Sequence, residues 1–175
     1  MIKEIIIDYK IRKLANKSNS DLRSTTNYSN VKKVGFVHSA LSTGQMKKLD
    51  GFVKKLEFEG KTVQVCEFLG SQKREEDGGL AFSNKDLTIS GNWKSPEVKA
   101  FVEEPFDYLI NLDRDHNKYI DYIFATSKAK CRIGGIEHQG ESPYEMIVKI
   151  ASSKGLEEYL REVHRYLKII DKNES

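Results

Sequence analysis

The chain reads as an α/β sandwich on a mostly parallel sheet, and three observations predict this. From Val31 onward, short apolar runs alternate with stretches of helical periodicity, the pattern of strands joined by crossover helices. The strands, such as Tyr108 to Leu112, are near-continuous apolar runs and not in/out alternations, as a sheet covered on both faces requires. Helix boundaries are marked by Gly60 at one end and by Ser95-Pro96 at another, a left-handed cap and an N-cap followed by a first-turn proline. With right-handed crossovers, the expected architecture is a three-layer, Rossmann-like sandwich flanked by N- and C-terminal helices.

The elements follow in order. Residues 2–17 are expected to be helical, with Ile2, Ile5, Ile6, Tyr9 and Leu14 on one side and lysines opposite. Ser18 to Asn30 is nearly all polar and reads as a linker or mobile loop, so residues 1–30 form a basic helix and tether and 31–175 a single domain. Val34 to His38 is a first strand. A helix from Gln45 to about Glu59 follows, with Met46, Leu49, Phe52, Val53 and Leu56 in one stripe. Thr62 to Leu69 is a second strand, 70–79 an exposed loop, and Leu87 to Ser90 a short extended segment. A helix starting at Ser95-Pro96 leads to a strand at Tyr108 to Leu112, a helix at Asn117 to Ser127, and strands at Cys131 to Ile133 and Tyr144 to Lys149. The last helix, Gly155 to Ile170, carries a wide apolar stripe that would pack on the sheet or, with the first helix, form a homodimer contact.

Composition narrows the classes. At 175 residues the chain suits one domain with a real core. No apolar run approaches the roughly 20 residues that span a bilayer, and MIKEIIIDYKIRK is not a secretory leader, so the chain reads as a cytoplasmic protein of bacterial type. Cys66 and Cys131 lack metal or redox spacing and read as reduced core thiols. Residues 1–33 hold eight Lys or Arg against three acids, within a net charge of only +3. The body is therefore near neutral, which argues against a nucleic-acid-binding face and assigns the basicity to the leading arm.

Ligands of open α/β sheets bind beyond the carboxyl ends of the strands. The first strand ends in His38 and Ser39, followed by Ser42, Thr43 and Gly44. HSALSTG is neither a dinucleotide nor a Walker loop; its hydroxyls would hold an anion at the helix start or simply cap the helix. The later strands deliver Asp113, Asp115 and His116, then Gly134, Gly135 and His138. Imidazoles and carboxylates are ligands for zinc or iron, but no HExxH spacing occurs and no metal or cofactor is assigned. Asp113 and Asp115 would serve as acid and base if their environments differed, or as turn formers and caps.

Phe106-Asp107, Leu109 to Asp113, and Ala129-Lys130-Cys131-Arg132-Ile133-Gly134 together resemble a stretch of heptosyltransferase-like glycosyltransferases. That family has two Rossmann-like domains, and the resemblance implies kinship with the N-terminal, acceptor-side one. The donor-binding half has no counterpart here, and HSALSTG replaces the family's early glycines, so the resemblance implies fold and a ligand crevice but not transfer. The whole chain also resembles a small family of bacterial α/β proteins without an established activity.

The leading expectation is a Rossmann-like domain without independent catalysis that binds a small anionic or sugar-like ligand or a protein partner. One alternative is a small enzyme using His38, Asp113, Asp115 and His116. Another is a peripheral adaptor whose basic N-terminal helix meets a membrane or a larger complex.

Overall fold

The computed structural model describes residues 2–16, 23–72, 79–137 and 141–170. In chain order its elements are α1 (Ile2–Asn16), β1 (Lys33–His38), α2 (Thr43–Phe58), β2 (Thr62–Phe68), β3 (Ala81–Phe82), α3 (Pro96–Glu103), β4 (Tyr108–Asn111), α4 (Lys118–Thr126), β5 (Cys131–Gly134), β6 (Met146–Ile147) and α5 (Leu156–Ile170). The six strands make one sheet in the order β3-β2-β1-β4-β5-β6, and every neighbouring pair is parallel. The chain walks outward from β1 to β3, then returns to the middle at β4. The reversal between β1 and β4 is the switch point of a Rossmann-like α/β fold.

Each face of the sheet has its own core. Val34, Phe36, Tyr108, Ile110 and Ile133 pack against Leu49 and Leu56 of α2 and against Leu156, Tyr159, Leu160, Val163 and Leu167 of α5. On the other face Val37, Cys66 and Leu109 meet Val98, Phe101 and Val102 of α3 and Ile120, Ile123 and Phe124 of α4. Successive strand residues alternate between the two cores. Both thiols are free and buried, and burial pushes the Cys131 thiol up to about 12.

Caps explain where the helices start and stop. Ser42 and Gln45 form a reciprocal capping box at α2. Ser95 caps α3 ahead of Pro96, and the Asn117 side chain accepts from Tyr119 N and Ile120 N at the head of α4. Gly60 ends α2 at φ 82°, a conformation only glycine adopts without strain.

Four expectations change. Of the stripe Ile2, Ile5, Ile6, Tyr9 and Leu14, none is fully buried; α1 instead buries Ile7, which joins Leu87 and Tyr122 with Ile11 packed alongside. Isoleucines point around much of this helix, so periodicity could not choose the inward face. The described part of the linker is anchored: Arg23 donates to the carbonyls of Ser127 and Ala129, and Tyr28 is buried with its hydroxyl on Glu59 and 2.8 Å from His164 Nε2. The third strand is Ala81–Phe82, whereas Leu87 makes one antiparallel bridge to Trp93 in a tight turn. The last strand shrinks to Met146–Ile147. Residues 73–78 of the expected exposed loop lie outside the described residues.

Packing also settles where the terminal helices lie. α1 covers α4 on one face, and α5 packs beside α2 on the other. They do not share a surface.

Candidate functional site

At the switch point, beyond the carboxyl ends of β1 and β4, lies a cavity of about 320 Å³. Ser39, Ala40 and Leu41 line it from the loop after β1, and Gln45 from the first turn of α2. Residues 112–117 line it from the loop after β4, and Gly155, Leu156 and Tyr159 from the start of α5. Three helix N-termini therefore border one space, each with partial positive charge. Ser42 caps α2 and Asn117 caps α4, but the residue ahead of α5 is Gly155, which has no side chain to offer.

The two loops are tied together. Asp113 Oδ1 accepts the Ser39 N–H at 2.9 Å, and the Asp113 N–H donates to Asn111 Oδ1 at 2.9 Å. Arg114 reaches across the cavity wall to α5's leading loop, where its Nη1 and Nη2 donate to the carbonyls of Ala151 and Ser152 at 3.3 and 3.2 Å. Asp115 and His116 are exposed on the rim.

Tyr159 is the most telling wall residue. It is 1% exposed, and its hydroxyl has no hydrogen-bond partner among the described residues. Burial pushes its phenol well above the ordinary value, against the pull of the Arg114 guanidinium. A buried, unsatisfied hydroxyl is costly.

Behind the cavity runs a buried polar chain. Asn111 Nδ2 donates to the Tyr144 hydroxyl at 2.8 Å, and that hydroxyl donates to Asp121 Oδ1 at 2.8 Å. Burial, followed by the Asp121 charge, holds the Tyr144 phenol well above its usual range. Asn111 thus joins this chain on one side to the Asp113 loop on the other.

Of the residues expected from sequence, the cavity gathers Ser39, Asp113, Asp115 and His116. His38 is 1% exposed and does not line it. As the last residue of β1 it falls on the same face as Val34 and Phe36, and its Nδ1 donates to the Ser39 carbonyl. Ser42, Thr43 and Gly44 build the start of α2 outside the cavity. Gly134 and Gly135 are packing glycines. A Cβ on Gly134 would meet the Tyr144 ring at 2.9 Å, and one on Gly135 would touch Tyr159 and Arg114. His138 lies outside the described residues. Among the described residues, no three His, Cys, Asp or Glu side chains gather to hold a metal.

Arg114, Gln45, Asn117 and Tyr159 line the cavity without having been singled out. Arg114 and Asn117 stand in the same strand-end loop as Asp113 and were legible by position. Tyr159 belongs to the apolar stripe of α5, and nothing in a stripe reveals an unpaired phenol.

Of the residues that carry the glycosyltransferase resemblance, Asp113 lines the cavity, whereas Asp107 and Lys130 sit at the amino ends of β4 and β5, away from it. Asp107, just before β4, accepts from Lys32 N, Lys33 N and Lys130 Nζ at 2.7, 3.0 and 2.7 Å. Burial pushes its carboxyl up, but Lys130 and the two amides outweigh that and hold it below the usual range. Arg132 is buried, grips Glu145 through Nε and Nη2, and donates to the Phe124 carbonyl. These side chains clamp β1, β4, β5 and the approach to β6 together.

Larger grooves of about 550 and 650 Å³ flank α1, away from the strand ends. No described helix is long and apolar enough to cross a membrane. No curated protein matches the chain, and no solved structure does. Residues 3–170 match the family described as "Family of unknown function (DUF6913)", and with nearly its whole length covered the chain belongs to that family.

Proposed function

We propose that the chain is a binding domain whose switch-point cavity takes a small, hydroxyl-rich ligand of the sugar class. The observation that carries this is the polar lining of the cavity at the switch point, where Asp113 ties the two flanking loops together. The lining supplies acceptors in Asp113 and Asp115 and donors or acceptors in Ser39, Gln45 and Asn117. That mixture suits hydroxyl groups, which donate and accept at once. The local resemblance to an acceptor-side sugar-transferase domain supports the same class.

Thermal-shift and calorimetric titration with a panel of monosaccharides, sugar monophosphates and inorganic phosphate tests the proposal. At least one sugar should raise the unfolding midpoint, with the effect lost in Asp113→Ala. A panel without a single shift, or a shift unchanged in Asp113→Ala, contradicts it.

A further inference from the structure

We infer that α1 is a membrane-surface helix whose outward face docks on an anionic lipid bilayer. Its rotation is fixed by what it buries. Ile7 is fully buried against Leu87 and Tyr122, and the Lys10 ammonium donates to the Ser90 carbonyl at 2.6 Å. Lys3 likewise donates to the Asn84 carbonyl. What then faces outward is Ile2, Ile5 and Tyr9, exposed by 70%, 63% and 62%. These positions recur at helical spacing on one face, and Arg12 and Lys13 continue it, both exposed. Ile89, 67% exposed, stands on the turn that Lys10 holds.

Neither acid of the helix shares that face. Asp8 pairs with Lys118 at 3.6 Å, and Glu4 lines the groove on one flank of the helix with Lys85 and Lys94, while Tyr9 and Lys13 border the groove on the other flank. An apolar face edged by cations and free of acids is the chemistry of a helix lying in the headgroup region of an anionic leaflet.

Size selects this occupant over a second copy of the chain. A 15-residue helix is about 22 Å long and roughly 10 Å wide. One such face presents on the order of 200 Å², far short of the ~800 Å² per partner of a stable dimer. A bilayer takes up both the isoleucines and the cations.

The test is flotation of the full chain with vesicles of pure phosphatidylcholine and with an equal mixture of phosphatidylcholine and phosphatidylglycerol. Binding is expected only with the mixture. Arg12→Gln with Lys13→Gln should weaken it about 30-fold, and Ile5→Ser with Tyr9→Ser roughly tenfold or more. Because these side chains are exposed, both variants should keep the wild-type circular dichroism and unfolding midpoint. The inference is overturned by absent flotation, by equal flotation with pure phosphatidylcholine, or by variants that float like wild type. A dimer in light scattering that Ile5→Ser with Tyr9→Ser dissolves overturns it too, and gives the face to a second copy.

Discussion

Asp113 Oδ1 accepts the backbone N–H of Ser39 at 2.9 Å, so a carboxylate from the end of β4 holds the loop that follows β1. This one bond crosses the switch point and joins the two loops that flank the cavity. Replacing Asp113 by Ala releases the Ser39 amide to water, since Ser39 is only partly buried. The stability cost should be about 1 kcal/mol. Ligand affinity should fall much further, because loop position and a lining acceptor are lost together. Urea unfolding and calorimetric titration of the same sample separate the two effects.

Tyr159 and Tyr144 offer a paired comparison, since both phenols are buried and only one is satisfied. Tyr159→Phe removes an unpaired hydroxyl and should leave the unfolding midpoint unchanged or raise it. Tyr144→Phe removes the group between Asn111 and the Asp121 carboxylate and should cost about 2 to 3 kcal/mol. Equal effects of the two changes in thermal unfolding would contradict this reading.

How much of this was legible in the sequence follows from length and periodicity. β1 and β4 are apolar runs bounded by polar loops and declare themselves. β3 is two residues, Ala81–Phe82, too short to show any period, and its place in the sheet comes from pairing with Glu67 and Phe68. The strand-end rule found Asp113 and the loop around it, because topology alone puts that loop at the switch point. The same rule also points to His38, which lies outside the cavity, since the rule locates a residue along a strand without saying which face its side chain takes. It also points to Gly134 and Gly135, whose missing side chains make room for tyrosines brought in from the β6 approach and from α5.

Gly134→Ala tests that packing directly. The added methyl would meet ring carbons of Tyr144 at 2.9 to 3.0 Å, and a buried ring pinned by two hydrogen bonds has little room to move. A destabilisation of about 1 to 3 kcal/mol is expected. Gly51→Ala, with nothing within 4 Å of the new methyl on the surface of α2, should instead be neutral or stabilising. Chemical denaturation of the two variants checks the contrast.

Acid should destabilise the fold in two windows. His164 lies against Tyr28; burial, followed by Lys168 and Lys55, lowers its pKa below the ordinary 6.5. A histidine with a lowered folded-state pKa favours the folded state fully above its unfolded value, and that contribution declines as pH falls below about 6.5. Asp107 and Glu59 also have lowered values. In each, burial raises the pKa but is outweighed, by Lys130 and two amides at Asp107 and by Tyr28, Lys168 and His164 at Glu59. Their contribution is present above the unfolded carboxylate range near 4 and is lost as pH falls through the folded values. In urea unfolding across pH, His164→Gln should flatten the upper window and reduce the lower one only in part, because Asp107 and the Tyr28 and Lys168 contacts of Glu59 remain. A wild-type profile flat from neutral pH down to the carboxylate range would contradict the assignment.

The most direct measurement is a ¹H–¹⁵N correlation spectrum of the full chain titrated with the sugar that gives the largest thermal shift. Amide perturbations should concentrate at residues 39–41, 113–117 and 155–156 and disappear in Asp113→Ala. Perturbations confined to the grooves flanking α1, or spread over the surface without saturating, would contradict a ligand site at the switch point.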